Sequence, residues 1–170
     1  MDLADATLVL LVAEGARVIV ADRDEAAAKR VAAALGEAAF AFAADVTRAA
    51  DVKAMVEAAH QRFGGLEILV NNAGMGHVPQ PLEELDEDTF DRILALNVKA
   101  IYLAAKEVVP RFKAQKSGVI LNIASTAGVS PRPRLCWYNA SKGWVITATR
   151  SMAVELAPFG IRVCALNPVA

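Results

Sequence analysis

Ser125, Tyr138 and Lys142 bring three side chains capable of acid–base chemistry into one short stretch of the sequence. Tyr138 and Lys142 are four residues apart in a segment whose pattern predicts a helix. Their side chains would then lie on one face of the helix, with their Cβ atoms roughly 6 Å apart. An ordinary tyrosine phenol has a pKa of about 10, and a neighbouring ammonium favours the ionised form. The pair therefore predicts a site where a phenol exchanges a proton with an alcohol or ketone, while the serine hydroxyl holds the reacting oxygen.

A strand, a loop and a helix are predicted to position these groups. The β-branched apolar run 119–123 predicts a strand that is buried on both faces and ends near Ser125. Pro131-Arg132-Pro133 then predicts a loop, and the apolar periodicity of residues 135–157 predicts a helix. All three side chains are thus expected at the carboxyl end of one strand.

The remaining sequence alternates helical and strand patterns. Helices are predicted over 3–14, 24–35, 47–63 and 86–116, and strands over 17–21, 39–44, 67–70 and 161–166. The longest helix is expected to kink or end near Pro110, which cannot donate a hydrogen bond to the preceding turn. The alternation predicts one α/β domain over residues 1–170, with a doubly wound, Rossmann-like parallel sheet in a three-layer αβα arrangement. Ligands bind such sheets beyond the carboxyl ends of the strands.

Composition narrows the classes of partner. The chain has 170 residues, 55% of them hydrophobic, and a net charge of −1, which predicts a soluble cytoplasmic protein without nucleic-acid or membrane partners. The apolar run 7–13 is too short to span a bilayer and lacks the positive flank of a signal peptide. Cys136, Cys164, His60 and His77 show no metal-ligand spacing, so no metal site is predicted.

Two further motifs accompany the reactive stretch. Asn71-Asn72-Ala73-Gly74 directly follows an apolar run, and Asn97 lies in Leu96-Asn97-Val98 within a helical pattern. Ser125 and then the Tyr-x-x-x-Lys pair follow these motifs along the chain. In this order, the four motifs resemble those of the short-chain dehydrogenase/reductase family. The resemblance runs from about Val12 to the last residue.

This resemblance implies an oxidoreductase that moves hydride between a nicotinamide cofactor and a secondary alcohol or ketone. Tyr138 is then the acid/base and Lys142 its charge partner, while Ser125 holds the substrate oxygen. Asn97 supports the lysine through a water molecule. Members commonly form dimers or tetramers through the helices that match 86–116 and 135–157, so a homo-oligomer is expected.

The adenosine half of the cofactor is expected near Asp22. This residue follows strand 17–21, where a doubly wound site directs a carboxylate at the ribose hydroxyls. Because the same charge repels a 2′-phosphate, we expect NAD to be preferred over NADP, with Arg23 partly offsetting the preference. Alternatively, Asp22 and Asp24 only cap the following helix.

The other cofactor contacts follow from the resemblance alone. The positions that match the family's adenine, adenosine and nicotinamide contacts are Asp45, Val46, Asn71, Ala73, Gly74 and Pro168, and Tyr138 and Lys142 also face the nicotinamide ribose. Gly74 lacks a Cβ, which lets backbone approach a ligand closely. Val169 stands where many members have glycine.

The sequence departs from the family at both ends. The family's first strand and its turn T-G-x-x-x-G-x-G are not found before the first helix, where Gly15 is the only glycine before Gly36. That strand is central in the family's sheet, so we expect two inner strand edges without partners. The C-terminal segment that covers substrate is also missing. A truncated, non-catalytic remnant that binds no cofactor is therefore the rival hypothesis.

One alternative fills the central position with residues 6–12 as a strand. The connection 13–16 is too short for a parallel crossover, so such a strand would have to run antiparallel to its neighbour. A helix over these residues is the favoured interpretation.

Overall fold

A computed structural model describes residues 3–169 of the chain, with side chains from residue 6 onward. Helices and strands alternate along it in the order α1 (Leu3–Ala13), β1 (Val18–Asp22), α2 (Glu25–Leu35), β2 (Ala39–Ala43), α3 (Ala49–Phe63), β3 (Ile68–Asn71), α4 (Glu87–Leu94), α5 (Ala100–Gln115), β4 (Gly118–Ile123), α6 (Cys136–Leu156) and β5 (Ile161–Leu166). Every strand pair is parallel. The predicted Rossmann-like α/β fold is confirmed.

The chain divides into two compact units at the Leu66–Glu67 junction. In the first unit, β1 pairs with β2 from Val18↔Ala39 to Asp22↔Ala43. Buried valines of β1 pack against buried alanines of α2, and small alanines let this helix approach the strand closely.

In the second unit, β4 lies between β3 and β5. Its central position explains its apolar sequence, because both faces and both edges are covered. Ile101 of α5, Val145 of α6 and Ala124 after β4 form one core cluster. This packing places the carboxyl end of β4 against α6.

Among the described residues, β1 pairs only with β2, and β3 only with β4. The expected absence of a central strand beside β1 and β3 stays a prediction. The alternative strand over residues 6–12 is wrong, because these residues lie in helix α1. The assignment of all 170 residues to a single domain stays a prediction.

The sequence predicted that the helical region 86–116 would kink or end near Pro110, and the predicted end is wrong because α5 continues through this residue. Pro110 lies exposed inside α5, so water can satisfy the carbonyl that loses its partner. Regular α-helical bonding is interrupted instead at Ala95–Lys99, which forms one π-helical turn between α4 and α5. Such turns insert one residue and often mark functional positions.

Candidate active site

Lys142 is buried at the carboxyl end of β4, with 5% of its surface exposed. Its Nζ donates a hydrogen bond of 2.8 Å to the carbonyl oxygen of Ile123, the last residue of β4. The ammonium lies 6.0 Å from the centroid of the Tyr138 ring, one helical turn earlier on α6. Burial lowers the pKa of Lys142, because the charged form loses hydration.

Ser125 follows β4 in extended conformation and is buried. Its Oγ accepts a hydrogen bond of 3.1 Å from the N–H of Ala127. This bond caps the 3-10 turn Thr126–Gly128. The N–H of Thr126 donates to the carbonyl oxygen of Pro168 at 3.2 Å. The structure thus brings two predicted site residues, Ser125 and Pro168, to neighbouring strand ends.

The turn after Ser125 packs directly on the backbone of α6. A Cβ at Gly128 would lie 2.7 Å from the carbonyl carbon of Lys142 and 2.8 Å from the nitrogen of Gly143. Only glycine allows this approach without a shift of the backbone. The contact sets the distance between the serine segment and the helix that carries Lys142.

Asn97 lies in the π-helical turn and is 1% exposed. Its Oδ1 accepts from the N–H of Met75 at 2.8 Å, and its Nδ2 donates to the Met75 carbonyl at 2.9 Å. The same Nδ2 donates to Ser141 Oγ at 2.9 Å, and that hydroxyl donates to the carbonyl oxygen of Tyr138 at 2.7 Å. One amide therefore ties the loop after β3 to the turn of α6 that holds Tyr138 and Lys142.

The glycines of the loop after β3 approach these side chains closely. A Cβ on Gly74 would lie 3.2 Å from Lys142 Nζ and 3.3 Å from Asn97 Oδ1. At Gly76 it would lie 3.6 Å from the Tyr138 ring. Sequence reasoning missed Gly76 and Ser141. The three-residue spacing from Tyr138 to Ser141 on a helix was the available signal for the second of them.

Asn71 takes part in a polar chain that links two strands to α6. Its Nδ2 donates to Asn122 Oδ1 at 2.8 Å, and Asn122 Nδ2 donates to Thr149 Oγ1 at 2.9 Å. Asn122 and Thr149 are buried, whereas Ala73, also predicted as a site residue, is exposed. The predicted contacts of Asn71 and Ala73 with adenosine stay predictions.

The predicted residues Asp22, Asp45 and Val46 belong to the first compact unit. Asp24 caps α2 by accepting from two backbone N–H groups, as the capping interpretation proposed. Asp22 is exposed, and its Oδ1 accepts from the N–H of Asp24 at 2.8 Å. Its role therefore differs from that of Asp24, and a ribose contact at Asp22 stays a prediction.

Asp45 forms a local turn with Thr47. Its Oδ1 accepts from the Thr47 hydroxyl at 2.7 Å and from the Thr47 N–H at 2.9 Å, and these bonds lower the pKa of Asp45. Val46 is half-buried beside it. The adenine contact predicted for Asp45 and Val46 is not tested by this geometry.

The second unit thus holds a tyrosine, a buried lysine ammonium and a serine hydroxyl at one end of a parallel sheet, the usual place for a ligand in this fold. Within the described part of the chain, no set of three or more His, Cys, Asp and Glu side chains is arranged to hold a metal ion. No described helix has both the length and the apolar character to cross a membrane.

A family model described as short chain dehydrogenase matches residues 3–170. The chain belongs to the short-chain dehydrogenase family. It is therefore related to oxidoreductases, and the motifs that indicated this family are present in their expected order.

Similar proteins illustrate the range of this family. The 4-formylbenzenesulfonate dehydrogenase of Comamonas testosteroni is 44% identical over 131 residues, which are 77% of this chain and 52% of the relative. A 3-ketoacyl-(acyl-carrier-protein) reductase from Brucella melitensis, solved with NADH, superposes with a TM-score of 0.92 at 52% identity and covers 94% of this chain and 67% of its own. NAD⁺-bound xylitol dehydrogenase also superposes with a TM-score of 0.92, at 34% identity, and the match covers 96% of this chain and 64% of that structure. The chain spans between about half and two thirds of these proteins.

Proposed function

We propose that the chain carries the catalytic part of an NAD-dependent oxidoreductase that interconverts a secondary alcohol and a ketone. The single observation that carries this proposal is the placement of Lys142 and Tyr138 on one face of α6 at the carboxyl end of β4, with the ammonium 6.0 Å from the ring centroid. The membership in the short-chain dehydrogenase family supports it.

The residues around Lys142 fit a nicotinamide ribose. One N–H of the ammonium is directed at Ile123 O, and further donors remain for ribose hydroxyls. Gly74 leaves the space beside the ammonium that a Cβ would crowd. When bound, the nicotinamide would accept or supply the hydride, which no side chain can do.

Tyr138 would move the proton in this mechanism. As phenolate it takes a proton from the substrate alcohol during oxidation, and as phenol it gives one to the carbonyl oxygen during reduction. The Lys142 ammonium favours the phenolate by its charge, and Ser125 holds the substrate oxygen by a hydrogen bond. Asn97 keeps the loop of Gly74 and the Tyr138 turn together through Met75 and Ser141.

Asp22 supports the proposed preference for NAD. It is exposed, and a free carboxylate oxygen there can accept from ribose hydroxyls but repels a 2′-phosphate. Similar proteins have been solved with NADH and NAD⁺ bound, which supports a nicotinamide dinucleotide as the cofactor.

Assembly through α5 and α6 is also proposed. Tyr102 on α5 and Trp144 and Val154 on α6 are large hydrophobic side chains with exposures of 56%, 40% and 80%. Burial of such side chains against another copy would remove apolar surface from water. Analytical ultracentrifugation of the chain and of Val154→Glu tests this, since a monomer in both would contradict it.

The proposed chemistry is tested by removing one oxygen atom. Tyr138→Phe should lower NAD-dependent oxidation of secondary alcohols by about a hundredfold or more, while calorimetry shows that NAD still binds. Tyr102→Phe, at an exposed tyrosine on α5, is the matched control and should keep activity. If the wild-type chain neither binds NAD nor turns over any secondary alcohol, the remnant hypothesis is favoured.

A further inference from the structure

Two loops of the second unit meet beside Tyr138. The loop after β3 passes the Tyr138 ring at Gly76, and its Gln80 N–H donates to the carbonyl oxygen of Arg134 at 3.0 Å. Asn139, the residue after Tyr138, is buried and donates from Nδ2 to the carbonyl oxygen of Arg132 at 2.7 Å. The backbones of both arginines are therefore fixed next to the proposed acid/base.

The charge of this segment differs from that of the whole chain. The chain has a net charge of −1, yet residues 118–154 contain no aspartate or glutamate. The charged side chains in that stretch are Arg132, Arg134, Lys142 and Arg150. Any ligand that reaches Tyr138 along this segment therefore meets positive charge.

Arg134 is the cation of this group whose backbone carbonyl is bonded to the loop after β3. It is exposed, and it forms no ion pair with any residue that the structure describes. Its φ of 62° lies in the left-handed region that favours glycine, yet an arginine occupies the position. The indole N–H of Trp137 donates to the carbonyl oxygen of Leu82, which ties the turn 82–84 to the start of α6. Glu83 and Glu84 of this turn are exposed, so they are the acids that would compete with a ligand for Arg134.

The same two loops also expose apolar side chains. Val78, in the loop after β3, is 79% exposed, and Val129, after the serine turn, is 68% exposed. The two loops that meet beside Tyr138 therefore carry exposed apolar side chains as well as the exposed Arg134. A ligand that combines an oxyanion with an apolar body matches both features.

We propose that the substrate is an alcohol or ketone that carries a carboxylate or similar oxyanion on an apolar body, and that Arg134 binds the oxyanion. The proposal rests on the oxidoreductase function proposed above and specifies its substrate class. An arginine guanidinium suits this role because its planar donors match the two oxygens of a carboxylate.

The test uses two ketones that differ at one group, 4-acetylbenzoate and its methyl ester, of which only the first is charged. Binding of each is measured by ligand-observed NMR, and NADH-dependent reduction is measured in parallel. The wild-type chain should bind and reduce the carboxylate at least about tenfold better, and added salt should weaken this preference. Arg134→Gln should abolish the preference by lowering binding and reduction of the carboxylate to the level of the ester. Arg30→Gln, an exposed arginine on α2, is the matched control and should keep the preference.

The outcomes separate this proposal from the proposed function. Equal binding and reduction of the two ketones, or a preference that survives in Arg134→Gln, overturns the anion site but leaves the oxidoreductase in place. A binding preference that is lost in Arg134→Gln, without reduction of either ketone, supports the anion site and counts against catalysis. Absence of both binding preference and reduction overturns both.

Discussion

The ammonium of Lys142 donates to the backbone carbonyl of Ile123 at 2.8 Å, which joins helix α6 to the last residue of strand β4. This bond explains how a charged side chain is held with only 5% of its surface exposed. It also directs the ammonium to the strand end where Ser125 follows. The lysine is therefore part of the structure as well as of the proposed chemistry.

Lys142→Met should change how stability depends on pH. Burial lowers the pKa of Lys142 below its ordinary value of 10.5, so between the lowered value and 10.5 the unfolded chain binds more protons than the folded one. The cost of burying the ammonium is present at lower pH and disappears as pH rises through this window. The free energy of unfolding of the wild-type chain, minus that of Lys142→Met, should therefore increase as the pH rises toward 10.5.

Urea unfolding at a series of pH values measures this difference. Circular dichroism must first show that both proteins are folded throughout the range. A difference that falls or stays constant as pH rises would contradict the assignment of Lys142 as a buried, desolvated cation.

Gly128→Ala should destabilise the chain by about 2–3 kcal/mol. The added Cβ would lie 2.7 Å from the Lys142 carbonyl carbon, and neither backbone can move without disturbing β4 or α6. Gly143→Ala is the matched control on the opposite side of the contact, since its Cβ would lie 3.7 Å from Gly128 O. Because Gly143 is inside α6, alanine there should be neutral or stabilise by about 0.5–1 kcal/mol. Equal effects of the two substitutions in thermal unfolding would show that the close approach is not required.

Most of the fold followed from hydrophobic periodicity. β5 was predicted over 161–166 and is Ile161–Leu166, and α3 ends at Phe63 as expected. The error lay in the region 86–116, where Pro110 was a visible local signal but the π-helical turn Ala95–Lys99 had none. Such a turn depends on tertiary bonds like those of Asn97 with Met75, which periodicity does not encode.

The site was predictable in residue types but less so in their connections. The spacing of Tyr138 and Lys142 indicated a shared face, and the structure places the ammonium 6.0 Å from the ring centroid. The backbone partner of Lys142 and the bond from Asn97 to Ser141 were not predicted. These contacts join segments that are distant in sequence, so only the packing of β4 against α6 reveals them.

Thr149→Val tests whether the polar chain in the core of the second unit stabilises it. Valine has nearly the same shape as threonine but leaves the buried Asn122 Nδ2 without its acceptor at 2.9 Å. We expect a loss of about 1–3 kcal/mol in the free energy of unfolding. Thr149→Ser keeps the hydroxyl and should cost about 1 kcal/mol, from the lost methyl group alone. If serine proves as costly as valine in urea unfolding, packing rather than the hydrogen bond accounts for the effect.

Asp22→Asn tests the source of the proposed NAD preference. The substitution keeps the size of the side chain and the oxygen that accepts from the Asp24 N–H, but removes the charge that repels a 2′-phosphate. The ratio of NADP to NAD dissociation constants, measured by calorimetry, should fall by about tenfold. Asp24→Asn is the matched control, because asparagine also caps a helix, and it should leave this ratio unchanged. If this ratio shifted equally in both variants, the preference would come from the general negative charge near the start of α2. A contact of Asp22 with the ribose would then not be its source.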